Sequence, residues 1–324
     1  MTNYTCAYTR HPLTGWRVIQ LSATDPASGE RTMAQFAPEV GVNLLGLAVG
    51  ETEYLVDVDR ASGKILGTPI LYPTPNRVRD GVFTFGGRVF RFPPNMGRNF
   101  IHGLVRELPW ACGEPAVTPQ GLTITARYTM APGSAPYELF PIRNTLELTY
   151  LLRPGAVRLL FTVRNEDERE LLPFGLAIHP YFRIIGPREQ VRIQVPAKRW
   201  MEAVELLPTG RLLELAQGPA DLRQPTPLTH LNLDDVFWGL EPAQPQVIYY
   251  DHLGTKITLT ASELFTHSVV YTPQGRDYFC LENQSCSTDA HNLYARGLQE
   301  AAHLTILAPG QSLQAWVELA VTRQ

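Results

Sequence analysis

Apolar and polar residues alternate along this chain with the two-residue period of β-strands, and glycine and proline interrupt the alternation at short intervals. In Gly81–Phe92, GVFTFGGRVFRF, Phe83 and Phe85 share a face, Phe90 and Phe92 share a face, and Gly86-Gly87 lies between the pairs. This pattern predicts a tight hairpin. A second hairpin is predicted over Asn144–Arg164, where Leu146, Leu148 and Tyr150 alternate with polar residues and Pro154-Gly155 turns the chain. A third is predicted over Gln246–Thr260, and a fourth over His303–Val321 with its turn at Pro309-Gly310. Trp16–Leu21, Leu122–Met130, Val191–Val195 and His267–Tyr271 read as further strands. Helical signals are few: Ser287–Leu298 predicts a few turns capped by Ser287 or Thr288. The proline-rich stretch Leu207–Leu231 reads as a long loop. Many short strands with few short helices predict an all-β antiparallel sandwich.

Composition narrows the picture. With 324 residues, 44% hydrophobic and 18% charged, the chain can bury a large core. No repeat, low-complexity tract or linker divides it, so one domain over 1–324 is expected. The net charge of −3 has both signs interspersed, and no basic run would neutralise a row of phosphates, so nucleic acid is not an expected partner. The first thirty residues do not read as a signal peptide and no apolar run is long enough to span a bilayer, so a cytoplasmic protein without membrane association is expected. Cys6, Cys112, Cys280 and Cys286 are scattered and form no Cys-x-x-Cys pair, which predicts free thiols. No two histidines have metal-ligand spacing, and no metal or other cofactor is expected.

The candidate chemistry lies in five separated segments. Pro173–Ile184, PFGLAIHPYFRI, sets His179 among apolar and aromatic neighbours, which suits either a satisfied core histidine or one oriented for proton transfer. Asn76-Arg77, His102-Gly103, Asp234 and Glu282 each fall at or just beyond a strand-like run, where loops of a sandwich can converge. Glu282 is a carboxylate on an apolar run, costly there unless paired or used.

These segments resemble, in the same order, the aldose 1-epimerases, also called galactose or hexose mutarotases. The resemblance runs from about Leu71 to the C-terminus. It is carried by Asn76-Arg77, His102-Gly103 with Trp110, the His-x-Tyr-Phe of His179–Phe182, LPTG at Leu207–Gly210, DLRQP at Asp221–Pro225, Asp-x-x-Phe at Asp234–Phe237, VVYTP at Val269–Pro273, and Phe279–Asn292 around Glu282. The resemblance implies one large antiparallel β supersandwich with no metal or organic cofactor. It implies that a monosaccharide, a hexose such as glucose or galactose, is interconverted between its α and β anomers by ring opening. Glu282 would be the base and His179 the acid, His102 and Asp234 would hydrogen-bond the sugar, and Asn76 and Arg77 would orient it. A monomer or a homodimer is equally compatible.

The chain departs from many free-sugar mutarotases at Leu104, at Arg183 and at Asn283, which stands where a proline is usual. Arg106, four residues past His102, is similar to relatives acting on hexose 6-phosphates, and Arg79, Arg98, Arg106 and Arg183 could meet a phosphate. A hexose-6-phosphate mutarotase and a non-catalytic sugar-binding protein are therefore the alternatives.

Overall fold

The computed structural model describes residues 1–324. Its body is a sandwich of two large antiparallel sheets. A ten-stranded sheet is centred on Gly121–Met130, Asn144–Arg153, Ala156–Asn165, Ser312–Arg323, Thr255–Ala261 and Gln246–Tyr250, hydrogen-bonded in that order. An eight-stranded sheet runs Leu207–Glu214, Arg199–Val204, Asp234–Trp238, His267–Tyr271, Tyr278–Gln284, Ala177–Ile178 and Ile70–Leu71, with Tyr181–Arg183 also paired to Tyr278–Gln284. Inner faces from both sheets enter one cluster of 64 buried residues: Leu148, Phe161 and Ile257 from the first, Phe237, Val270, Phe279 and Leu281 from the second. Such burial, at roughly 25 cal/mol per Å² of apolar surface, holds the layers together.

The first three hairpins form as expected. Phe85 pairs with Arg88 across Gly86 and Gly87, whose φ values of 57° and 75° suit a two-residue turn with both central residues left-handed. The fourth does not form. Thr305–Leu307 pairs with Leu172–Phe174, whereas Ser312–Arg323 pairs with Ala156–Asn165 and Thr255–Ala261. The reason lies at the turn: Asn165 donates its side-chain amide to Leu307 O and accepts Gly310 N–H at its carbonyl, so the chain is handed from one sheet to another.

Two further readings are corrected. The N-terminal third of Leu207–Leu231 is a strand, Leu207–Glu214, paired with Arg199–Val204. The helix within Ser287–Leu298 spans only Ala290–Ala295 and starts at Asp289, not at Ser287 or Thr288, which are both buried ahead of it. A five-stranded N-terminal sheet, Asn3–Arg10 to Thr52–Glu53, was largely hidden from periodicity. Asn43–Val49, NLLGLAV, is buried at every position and so lacks alternation. All four cysteines are free, and no helix is long and apolar enough to cross a membrane.

Candidate active site

The site is built on the outer face of the eight-stranded sheet. Directly paired residues of antiparallel strands share a face, and so do residues two apart along one strand. Asp234 pairs with Tyr271, Tyr271 with Cys280, and Cys280 with Tyr181. One row further on, Val269 pairs with Glu282, and in the next Gln284 stands between His267 and Ala177. Asp234, Glu282 and Gln284 therefore project away from the core side chains Phe237, Phe279 and Leu281. Glu282 lies within a strand and not beyond its end. It is 2% exposed.

Pro180 interrupts the strand between Ala177–Ile178 and Tyr181–Arg183, and His179 occupies that gap beside Glu282. Its Nε2 is 3.2 Å from Glu282 Oε1, its backbone N–H donates to Pro69 O, and its Nδ1 has no partner. The Tyr181 ring stacks on the imidazole at 4.5 Å with a 15° interplanar angle, and the His102 ring meets it edge-on at 5.0 Å. The other oxygen of Glu282 accepts a hydrogen bond from Gln284 Nε2 at 3.0 Å.

A loop pair brings in the remaining residues. Asn76 and His102 both adopt left-handed backbone, φ 54° and 71°, and His102 N–H donates to Asn76 O. Gly103 follows with φ 68°, packed so closely that a Cβ there would lie 2.4 Å from Tyr72 O. Only glycine fits without moving that backbone. Gly103→Ala is expected to cost about 2–4 kcal/mol, from strained φ plus steric overlap. A lower urea midpoint together with weakened sugar binding would report it, since His102 must move with its neighbour.

Arg77 donates to Asn76 Oδ1 at 3.0 Å and to Asp234 Oδ2 at 3.4 Å, so orienting groups from separate segments form one chain of contacts. Asp234 is itself fixed by the VVYTP strand, because Thr272 N–H donates to Leu233 O and Thr272 Oγ1 accepts Leu233 N–H. Asp289 donates its N–H to Arg77 O and accepts from Arg79 N–H and Asn292 Nδ2, which clamps the Asn76–Arg79 segment.

All six predicted site residues thus converge. The LPTG and DLRQP pieces do not: Thr209 bonds Glu202, and Asp221 pairs with Arg223 at the surface. Sequence reading missed Gln284 and Asp289. Gln284 had a usable signal, two residues from Glu282 on one strand. Asp289 had none, since Arg77 and Arg79 lie far back in the chain, Arg79 by 210 residues.

Burial dominates the electrostatics. Desolvation pushes Glu282 well above the usual carboxylate range, the Gln284 hydrogen bond opposes this and the Asp234 charge reinforces it. Desolvation likewise lowers His179 to about 3, helped by the positive charges of Lys64 and Arg106, and holds His102 well below its ordinary value. Burial therefore favours an uncharged pair, a protonated carboxyl group and a neutral imidazole 3.2 Å apart. Carboxylate neighbours would raise His179 and burial lowers it. In the structure, burial prevails.

Of the four arginines considered for a phosphate, Arg79 faces Asp289 and Arg98 pairs with Asp80. Arg183 lines a separate cavity of about 340 Å³ against the N-terminal sheet. Arg106 lines, with Lys64, Pro69, Asn43, Trp16, Glu39 and Glu107, a cleft of about 380 Å³ that contains none of the six site residues, although the charges of Arg106 and Lys64 reach His179 and His102.

The family model described as aldose 1-epimerase matches residues 29–320. The chain belongs to the aldose 1-epimerase family. It is 27% identical over 259 residues to the uncharacterised Escherichia coli K12 protein YphB, covering 78% of this chain and 82% of that one. It is 25% identical over 158 residues to the galactose mutarotase of Sus scrofa, covering 47% and 44% of the two chains. A galactose mutarotase-like protein from Clostridium acetobutylicum shares the fold with a TM-score of 0.85 at 17% identity, over 99% of each chain. The family match places this chain in the aldose 1-epimerase class, and the β sandwich is the fold it shares with the Clostridium acetobutylicum protein.

Proposed function

We propose that this epimerase is a hexose mutarotase in which Glu282 and His179 exchange protons with the sugar. The observation that carries this reading is the buried carboxylate–imidazole pair, 3.2 Å apart, among hydrogen-bonding side chains suited to a polyhydroxylated ring. Ring opening requires loss of the proton on the C1 hydroxyl, cleavage of C1–O5 and protonation of O5. With the pair's one proton on His179, Glu282 takes the hydroxyl proton as base and His179 gives its own to O5 as acid. The pair is then uncharged, which burial favours, so the pocket stabilises the protonation state that accompanies the open-chain aldehyde. After rotation about C1–C2 the two steps run in reverse, and O5 closes on the other face. His102, Asp234, Asn76 and Arg77 hold the sugar hydroxyls and limit its orientation.

One observation favours a second reading, a hexose carrying a phosphate. Lys64 makes no ion pair and shares a cleft with Arg106, whose one ionic partner is the exposed Glu107, 2.9 Å away, and both charges reach His179 and His102. The test is polarimetric, with freshly dissolved α-D-glucose, α-D-galactose and α-D-glucose 6-phosphate. A neutral hexose should lose little in kcat/KM in Lys64→Ala/Arg106→Ala beyond what removing two charges does to His179, with little salt dependence. A phosphorylated substrate should lose roughly ten-fold or more in kcat/KM in that variant and weaken with salt. Buffer-rate decay for every sugar, with sugar binding intact, would instead support the binding-protein alternative.

A further inference from the structure

We propose that Gln284 is the positioning residue of this site, fixing the rotation and proton affinity of Glu282; the inference rests on the mutarotase reading above. The geometry is specific. Glu282 has two carboxyl oxygens with separate tasks: Oε1 faces His179 Nε2 at 3.2 Å, and Oε2 accepts from Gln284 Nε2 at 3.0 Å. Gln284 is the one neutral side chain that donates to this carboxyl group. Without it the group could rotate about its last bond, and either oxygen could turn from the imidazole.

Gln284 is poorly explained as a stabiliser. It is fully buried, and its Oε1 has no partner. A buried amide with an unsatisfied acceptor costs stability that an apolar residue of similar size would not. Its surroundings are otherwise arranged to hold it still: its strand is hydrogen-bonded on both sides, at His267 and at Ala177, and it is held by backbone pairing, not by its side-chain amide. What the amide does is meet Glu282. A donor on the carboxyl oxygen favours the ionised form and so counteracts burial, keeping the base within reach of a proton exchange that burial alone would suppress.

The test compares wild type, Gln284→Met and Gln284→Glu by kcat, KM and pH profile on the hexose that wild type turns over fastest, with melting curves alongside. Gln284→Met, near in size but unable to donate, is expected to lower kcat about ten- to hundred-fold, the effect of losing a hydrogen bond to a charged group, with KM little changed. The limb of the pH profile set by Glu282 should move to higher pH, because the ionised carboxylate has lost its donor. Gln284→Glu can donate only while its own carboxyl is protonated, so its kcat should approach wild type on the acid side and fall away earlier as pH rises. A wild-type profile in Gln284→Met, or a loss confined to KM or to melting temperature, would overturn the proposal. If Gln284→Met does not fold, a wild-type profile in Gln284→Glu would overturn it equally. Inactive wild type would instead defeat the mutarotase reading itself.

Discussion

Glu282→Gln is expected to lower kcat by about 10²–10⁴ while leaving sugar affinity nearly unchanged. The substitution keeps the volume and the contact with Gln284, because one amide oxygen can still accept that hydrogen bond, but it removes the group that exchanges a proton with the C1 hydroxyl. Affinity should persist, since His102, Asp234, Asn76 and Arg77 are untouched. A Glu282→Gln protein that binds hexose normally, melts normally and catalyses at the wild-type rate would exclude Glu282 from the chemistry. The structure adds a reason to expect little destabilisation: Glu282 is buried with a neutral imidazole and no arginine or lysine in contact, and a neutral isostere is better suited to such a place than a carboxylate.

His179→Ala should cause a loss of the same order, about 10²–10⁴ in kcat, and should also change the shape of the pH profile. In wild type the pair holds one proton over a wide range. Falling pH adds a second only near the lowered value of His179, about 3, and rising pH removes the last as the raised value of Glu282 is passed. Activity should therefore persist through mildly acidic solution and decline on the alkaline side. Without the imidazole the only group left is Glu282, which acts as base only when ionised, so residual activity should rise with pH as the raised value of Glu282 is passed, and the alkaline decline should be lost. A His179→Ala protein with the full two-limbed profile and wild-type kcat would show that the imidazole only packs against Tyr181.

Much of the fold was legible because its hairpins are local. Gly81–Phe92, Asn144–Arg164 and Gln246–Thr260 each carry both the alternation and the turn within one short stretch. The failures have physical causes. Pro309-Gly310 looks like a hairpin turn, yet Asn165, far away in sequence, captures the chain on both sides of it and sends its two strands to different sheets. Asn43–Val49 lacks alternation because both its faces are covered. Leu207–Glu214 pairs as a strand despite its proline, which lies on the outermost strand of its sheet, where a missing N–H is tolerated.

The site divides in the same way. Its six predicted residues came from short motifs, each held by local backbone: the left-handed turns at Asn76 and His102, the proline break after His179, the strand alternation that turns Glu282 outward. What holds them in register came from distant segments. Asp289 clamps Arg77 from beyond the Glu282 strand, and nothing near either residue announces it. Protonation was out of reach for a related reason. The balance at His179 depends on how completely Tyr181, His102 and the surrounding strands exclude water, which is a property of the packed site and not of the stretch PFGLAIHPYFRI.

The most direct measurement is two-dimensional exchange NMR of a hexose at anomeric equilibrium, following magnetisation transfer between the α and β H1 resonances. It observes the proposed interconversion itself, without consumption of substrate or a coupled enzyme. Wild-type protein is expected to give cross-peaks whose build-up rate scales with protein concentration, and Glu282→Gln at the same concentration should give rates near those of buffer. Equal exchange with and without wild-type protein, for free and phosphorylated hexoses alike, would contradict a ring-opening role for the Glu282–His179 pair.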